Sequence, residues 1–74
     1  MGRPTTYYDA PHLAAWRIAR VLTQEEFADM AGVHRATIAR LEAGGTARTA
    51  TIRQLAAALE IDTDTLMHQA PAPR

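Results

Sequence analysis

The chain has 74 residues, enough for one small domain, and its eight basic and eight acidic side chains give a formal net charge of zero. It contains no cysteine, which excludes disulfides and thiolate metal sites, and His12, His34 and His68 lack metal-ligand spacing, so we expect no metal or cofactor. No stretch approaches the ~20 apolar residues of a membrane span and no signal-peptide core follows the N-terminus, so we expect a cytoplasmic protein without a membrane partner.

The charge is distributed unevenly along the chain. All eight basic residues are arginines. Residues 33–53 contain four arginines and one glutamate, a net charge of +3, whereas residues 54–74 have a net charge of −2. Because a charged face rather than the total charge attracts an anionic partner, the neutral total does not exclude nucleic acid as that partner.

Residues 1–9 contain glycine and proline and show no helical period, so we interpret them as a flexible N-terminal arm. Tyr7 and Tyr8, within this arm, either fold back on the domain or contact a partner. No segment of the chain alternates between apolar and polar residues in the way that predicts a β-strand. The sequence therefore predicts an all-helical domain over residues 10–69 and a frayed tail over residues 70–74.

The first predicted helix begins near Asp9, a favourable N-cap that is followed by a proline, and runs to about Val21. Leu13 and Trp16 recur at helical spacing on one face of this segment. We expect that face to pack against the rest of the domain.

The second and third predicted helices are separated by a very short turn. Thr23 and Glu26 have the spacing of a capping box, which marks the start of the second helix, and Gly32 marks its end. The third helix runs from about His34 to Ala43 and is stopped by two glycines. Such a tight turn forces the two helices to cross steeply, as in a helix-turn-helix, so that one braces the other.

The residue types around this turn match what the crossing needs. The crossing requires a small residue on the first helix, a glycine in the turn, an apolar residue after it, and inward apolar residues on the second helix. Seven residues of suitable type lie at the required spacing: Phe27, Ala28, Ala31, Gly32, Val33, Ile38 and Leu41.

The opposite face of the third helix is composed mainly of arginine and alanine. At about 100° per residue, Ala36 and Arg40 lie opposite Ile38 and Leu41, and Arg35 flanks this outward face. Arginine can bind guanine with two hydrogen bonds in the major groove, and alanine can contact the thymine methyl group. This composition favours a base-reading face over an ordinary solvated face, which is usually rich in glutamate and lysine.

Two further helices are predicted after this segment. Thr49 or Thr51 can cap the fourth helix, and Asp62 can start a short fifth helix. Apolar residues in and just before the fifth helix either complete the core or form a homodimer interface, and we favour the interface. These residues are Ile61, Leu66 and Met67.

From about Leu13 to Leu66, the sequence resembles the lambda-type repressor and Cro (XRE-like) family of helix-turn-helix regulators. The matching residues are Leu22-Thr23-Gln24-Glu25-Glu26-Phe27-Ala28, Ala31-Gly32-Val33, Thr37-Ile38, Leu41-Glu42, Gly44 and Ala58-Leu59. This resemblance implies a compact five-helix domain with the helix-turn-helix at helices two and three. It also implies binding to operator DNA, usually as a two-fold dimer.

The resemblance also implies roles for individual residues. Gln24 is expected to contact a phosphate and to brace the recognition helix, and Arg48 is the expected phosphate ligand of the following loop. Arg17 and Glu42 occupy positions that form a structural ion pair. The complete set of expected DNA-contacting residues is Thr23, Gln24, His34, Arg35, Ala36, Thr37, Arg40 and Arg48.

The sequence departs from the family pattern at several positions. Val21 stands where glycine is frequent, and because valine tolerates a left-handed conformation poorly, we expect helix one to end differently or to continue into the turn. His34 replaces a small hydroxyl N-cap, so it either caps the recognition helix poorly or contacts a phosphate. Gly45 and Ala47 replace polar residues of the phosphate-tracking loop, which weakens the expected affinity for the DNA backbone.

These observations predict a sequence-specific transcriptional regulator, such as a repressor, that binds double-stranded DNA and has neither enzymatic activity nor a small-molecule substrate. Glu25, Glu26 and Asp29 lie on one exposed turn without a base partner, so we interpret them as capping and solubilising residues rather than catalytic ones. The alternative is a protein-interaction module of the same fold, such as an antitoxin or a coactivator-like adaptor. The neutral net charge and the few basic residues of the loop after the third helix keep this alternative open.

Overall fold

Five short helices and two three-residue strands make up the computed structural model, which describes residues 6–72. The elements in chain order are β1 (Tyr7–Asp9), α1 (Leu13–Ala19), α2 (Gln24–Ala31), α3 (Arg35–Glu42), β2 (Thr46–Arg48), α4 (Thr49–Leu59) and α5 (Thr63–His68). The predicted five-helix fold is confirmed, with the addition of a small sheet. The first five residues of the predicted arm and the last two of the predicted tail lie outside the described residues.

All five helices contribute buried apolar side chains to one core. The largest fully buried side chains are Leu13, Phe27, Ile38, Leu41, Ile52, Leu55, Leu59 and Leu66. Fully burying one such side chain contributes about 1.5–3 kcal/mol, so this set provides most of the stabilisation of a domain this small. No polar or charged residue is buried among the described residues.

Side-chain caps fix the N-terminal ends of α2 and α5. The Thr23 hydroxyl accepts a hydrogen bond from the Glu26 amide at 3.0 Å, and the Glu26 carboxylate accepts one from the Thr23 amide at 2.9 Å. These bonds hold the pKa of Glu26 below its ordinary value. Asp62 caps α5 by accepting a hydrogen bond from the Thr65 amide at 2.7 Å.

Helix α1 is shorter than predicted at both ends. It begins at Leu13, with His12 rather than Asp9 at the N-cap, because Asp9 belongs to β1. It stops at Ala19, and Val21 takes a left-handed conformation with φ 57°. The expectation that helix one would avoid this conformation is therefore wrong: Val21 adopts the geometry that glycine favours.

The left-handed turn at Val21 is held by hydrogen bonds on both sides. The Leu22 amide donates to the Arg17 carbonyl at 3.2 Å, which is the long-range bond of a Schellman cap. The Arg17 guanidinium, in turn, donates to the Leu22 carbonyl at 2.7 Å. Because these bonds require a reversal of the chain at this point, Val21 is kept in a conformation that is strained for a β-branched residue.

The two strands form an antiparallel pair that the sequence did not predict. Tyr7 lies opposite Arg48, Tyr8 opposite Ala47, and Asp9 opposite Thr46. Residues 7–9 are therefore not part of a flexible arm: they fold back onto the loop between α3 and α4. Strands this short carry no periodic signal, so the pattern of the sequence gave no indication of them.

Helix α5 closes the domain and corrects one predicted interface residue. Leu66 is 0% exposed and packs inside the protomer, so its side chain is not available to a dimer contact. Ile61 and Met67 are partly buried against the same core. The Trp16 indole donates a hydrogen bond to the Gln69 carbonyl at 2.8 Å, which ties the end of α5 to α1. Among residues 6–72, no helix combines the length and the hydrophobicity that a membrane span requires.

Candidate nucleic-acid interface

The turn between α2 and α3 is tight because Gly32 ends α2 in the left-handed conformation, with φ 70°. The next amide, that of Val33, donates to the Ala28 carbonyl at 3.0 Å. Ala28 is buried, and its small side chain leaves room for α3 to cross α2 closely. The local sequence thus positions α3 as a separate, protruding helix that α2 supports.

Helix α3 has a buried face and an exposed face. Ile38 and Leu41 are buried in the core, whereas Arg35, Ala36 and Arg40 are exposed. Thr37 lies half-buried between the two faces. The structure therefore places the three predicted base-reading residues together on one solvent-facing surface.

The N-terminus of α3 lacks a side-chain cap. His34 occupies the N-cap with extended backbone angles, and its imidazole accepts no capping hydrogen bond. The imidazole is exposed beside Arg35 at the end of the helix that carries a partial positive charge. The poorer capping expected from the sequence is observed, and a phosphate contact by His34 stays a prediction.

A hydrogen-bonded network locks α3 to α1 and α2. The Arg17 guanidinium donates to both carboxylate oxygens of Glu42, from Nε to Oε2 at 2.7 Å and from Nη2 to Oε1 at 3.1 Å. The Gln24 side-chain amide also donates to Glu42 Oε1, at 3.1 Å. The ion pair that the resemblance implied is thus present, and Gln24 braces the last residue of α3.

The same network shifts the pKa values of both charged partners. Burial alone raises the pKa of Glu42, but the hydrogen bonds from Arg17 and Gln24, with the attraction of the guanidinium, leave that pKa below its ordinary value. The hydrogen bond to Glu42 raises the pKa of Arg17 above its ordinary value. Both side chains therefore remain charged at neutral pH, and the orientation of α3 is held by a charge-assisted contact.

A groove lies between the C-terminal half of α3 and the two-stranded sheet. Its walls combine the side chains of Arg40 and Arg48 with several hydroxyl groups, and β2 forms its floor. The lining residues are Tyr7, Thr37, Arg40, Gly45, Thr46, Ala47, Arg48 and Thr51. Tyr7, Thr46 and Thr51 were not predicted as DNA-contacting residues, and Tyr7 joins this groove through its pairing with Arg48.

Gly45 allows the loop after α3 to approach that helix closely. Its amide donates to the Arg40 carbonyl at 2.8 Å. A Cβ atom at this position would lie 2.7 Å from Arg40 Cγ and 2.8 Å from the Arg40 carbonyl oxygen. Glycine at position 45 is therefore needed to keep both the loop and the Arg40 side chain where they are.

The exposed surface of this region is positively charged. Within residues 6–72, Arg35, Arg40 and Arg48 form no ion pair, whereas Glu42 is occupied by Arg17. Over the same residues no group of three histidine, aspartate or glutamate side chains is arranged to hold a metal ion. The surface is thus suited to an anionic partner that meets guanidinium groups directly.

The sequence profile of the helix-turn-helix family matches residues 13–66, which is well over half of the chain. The match begins at the first residue of α1 and extends into α5, so it covers every helix that positions the exposed face of α3. Comparison with curated protein sequences gives no match. The chain belongs to the lambda-type, XRE-like helix-turn-helix family of DNA-binding regulators.

Proposed function

We propose that this protein is a sequence-specific transcriptional regulator that inserts α3 into the major groove of double-stranded DNA. The observation that carries the proposal is the exposed face of Arg35, Ala36 and Arg40 on a helix whose other face is locked into the core. In this role Arg35 and Arg40 bind guanine edges, and Ala36 contacts a thymine methyl group. The small Ala36 side chain also lets the helix approach the bases closely.

The backbone of the DNA is held on both sides of α3. Thr23 and Gln24 lie at the N-terminal end of α2, where the helix dipole favours a phosphate. Thr37 and Arg48 face the other side, along the groove beside β2. Such contacts position the protein on the duplex, whereas Arg35 and Arg40 provide the sequence preference.

We further propose that two copies bind a near-palindromic operator as a two-fold dimer, with recognition helices roughly 34 Å apart. A single copy presents few cationic side chains to the DNA, so two copies are needed to accumulate enough phosphate contacts for tight binding. Ile61 and Met67 are the remaining candidates for the interface near α5, since both are only partly buried. Sedimentation velocity of the free protein and of its DNA complex measures this stoichiometry.

The test of DNA binding begins with selection of duplexes from a random library, which yields the half-site and its spacing. Fluorescence anisotropy then measures affinity for the selected duplex between 50 and 200 mM salt. A dimer that neutralises about six phosphates loses roughly 10³-fold in affinity over this range. A flat salt response, or no selected sequence, contradicts the proposal.

Arg40→Ala separates base reading from general electrostatic attraction. We expect it to weaken binding to the selected site by ~1–3 kcal/mol and to relax the preference at one base pair. The matched control is Arg53→Ala, which removes the same charge from an exposed position on α4. An equal loss on all duplexes for both variants makes Arg40 a phosphate ligand rather than a base reader.

The second candidate function is a protein-interaction module, with an antitoxin or adaptor role. It is favoured by two large apolar side chains near the end of α1: Ile18 is 63% exposed and Val21 is 83% exposed. Both line a shallow surface groove with Ala15 and Ala19. The salt titration distinguishes the two functions, because this alternative predicts little or no salt-dependent DNA binding.

A cytoplasmic location is compatible with either function and stays a prediction.

A further inference from the structure

We infer that Tyr7, a residue outside the helix-turn-helix, contacts the DNA backbone: its hydroxyl, with Arg40 and Arg48, holds one phosphate in the groove between α3 and the sheet. This inference rests on the proposed function and adds to it a binding site and a residue that neither the family profile nor the predicted contacts include. The profile match begins at residue 13, six residues after Tyr7.

The chemistry of the groove suits a phosphate. Two of its lining residues carry guanidinium groups, four carry hydroxyl groups, and none carries a carboxylate. Guanidinium groups only donate hydrogen bonds, and hydroxyl groups can each donate one. Neither Arg40 nor Arg48 forms an ion pair within residues 6–72. A ligand with several negatively charged oxygens therefore satisfies the groove better than a neutral one does.

The sheet places Tyr7 at this position. Tyr7 and Arg48 are directly opposite each other in the antiparallel pair, so their side chains leave the same face of the sheet. The Tyr7 side chain is 54% exposed, which leaves its hydroxyl accessible. The neighbouring residue, Tyr8, alternates to the other face and lines a separate groove with Ile52 and Met67.

The residues around the groove indicate that the phosphate it binds belongs to DNA. Arg40 and Thr37 line the groove and also belong to α3, so a duplex seated on the exposed face of α3 passes its backbone over the sheet. Asp9 leaves the same face of β1 as Tyr7 but is not part of the groove lining. Asp9 is opposite Thr46, at the other end of β1 from Tyr7.

The experiment compares Tyr7→Phe with Tyr8→Phe in the full chain. Each variant loses one hydroxyl and keeps its ring, so the sheet is preserved, and urea unfolding checks that both remain folded. Anisotropy with a selected duplex and with an unrelated duplex measures affinity. We expect Tyr7→Phe to weaken binding roughly fivefold on both duplexes, because a phosphate contact carries no base information, and Tyr8→Phe to leave affinity unchanged.

A scan of duplexes that carry one neutral methylphosphonate each then identifies the phosphate. At one position we expect the methylphosphonate to lower the affinity of the wild-type protein. On that duplex Tyr7→Phe should bind no more weakly than wild type, because the modification has already removed the contact of the hydroxyl with that phosphate. Three results overturn the inference while DNA binding stands. They are unchanged affinity of Tyr7→Phe, an equal loss for Tyr8→Phe, and losses that add to that of Tyr7→Phe at every methylphosphonate position. If the wild-type chain binds neither duplex, the proposed function itself is wrong, and the inference is overturned with it.

Discussion

We expect loss of the ion pair between Arg17 and Glu42 to destabilise the domain strongly. Glu42→Ala removes the acceptor for two guanidinium bonds and for the Gln24 amide. Arg17 then keeps only the Leu22 carbonyl as a partner. The remaining guanidinium lies in a site shaped for a carboxylate, so its charge is poorly compensated.

The solvent exposure of the pair determines how much stability its removal costs. Breaking a fully buried pair costs about 3–5 kcal/mol, whereas an exposed pair contributes about 0–1 kcal/mol. The side chains of Arg17 and Glu42 are 16% and 11% exposed, so the pair is closer to a fully buried one than to an exposed one, although water keeps some access. We therefore expect Glu42→Ala to destabilise the domain by about 2–3 kcal/mol. For a chain this short, that change lowers Tm by roughly 10–20 °C.

Urea unfolding followed by circular dichroism measures this effect. The control is the apolar double variant Arg17→Met with Glu42→Leu, which removes both charges together. Because replacement of a buried pair by apolar side chains is often neutral, the double variant should lie within about 1 kcal/mol of wild type. A loss below about 0.5 kcal/mol for Glu42→Ala would show that the pair behaves as an exposed one and would refute this reasoning.

Three further predictions concern backbone geometry and pH. Val21→Gly should stabilise the domain by about 0.5–1 kcal/mol in the same assay, because the relief of left-handed strain exceeds the entropy that glycine loses on folding. A loss of stability would mean that the valine side chain contributes more than its strain costs. Gly45→Ala should weaken DNA binding by displacing Arg40, whereas Gly44→Ala, strained at φ 99° but open to solvent, should reduce stability and leave the affinity of the folded protein unchanged. Folding lowers the pKa of Glu42, so its contribution to stability is full above the unfolded-state pKa and is lost as the pH falls through the lower folded-state pKa. The stability difference between wild type and Glu42→Gln should therefore shrink as the pH falls below the ordinary pKa of a glutamate, as urea unfolding over an acid pH series measures.

The helix-turn-helix could be predicted from sequence because it is governed by local rules. Thr23 and Glu26 cap α2 and Gly32 ends it, as their spacing indicated. The recognition helix, predicted at His34 to Ala43, spans Arg35–Glu42, with the two predicted terminal residues as its caps. Capping, glycine turns and helical periodicity all depend on neighbours within a few residues, so they are readable from the sequence.

The parts that could not be predicted depend on contacts between distant residues. Asp9 has the chemistry of an N-cap, but pairing with Thr46 takes it into a strand instead. Val21 is a separate case: its left-handed turn is held by local bonds between Arg17 and Leu22, but the valine side chain gives the opposite signal. The sequence favoured an interface for Leu66, but the packing of α5 buries this side chain in the core.

The sheet also has a consequence for the order in which the domain forms and opens. Its paired residues are 37 to 41 positions apart, about half the length of the chain, so we expect their pairing to close a large loop after the more local helical contacts have formed. With only three residues in each strand, β1 can detach while the helices stay folded. In hydrogen-exchange measurements its amides should therefore exchange earlier than those of α4. Any affinity that Tyr7 adds is then scaled by the fraction of molecules with β1 in place, so substitutions that never touch DNA can adjust binding through this equilibrium.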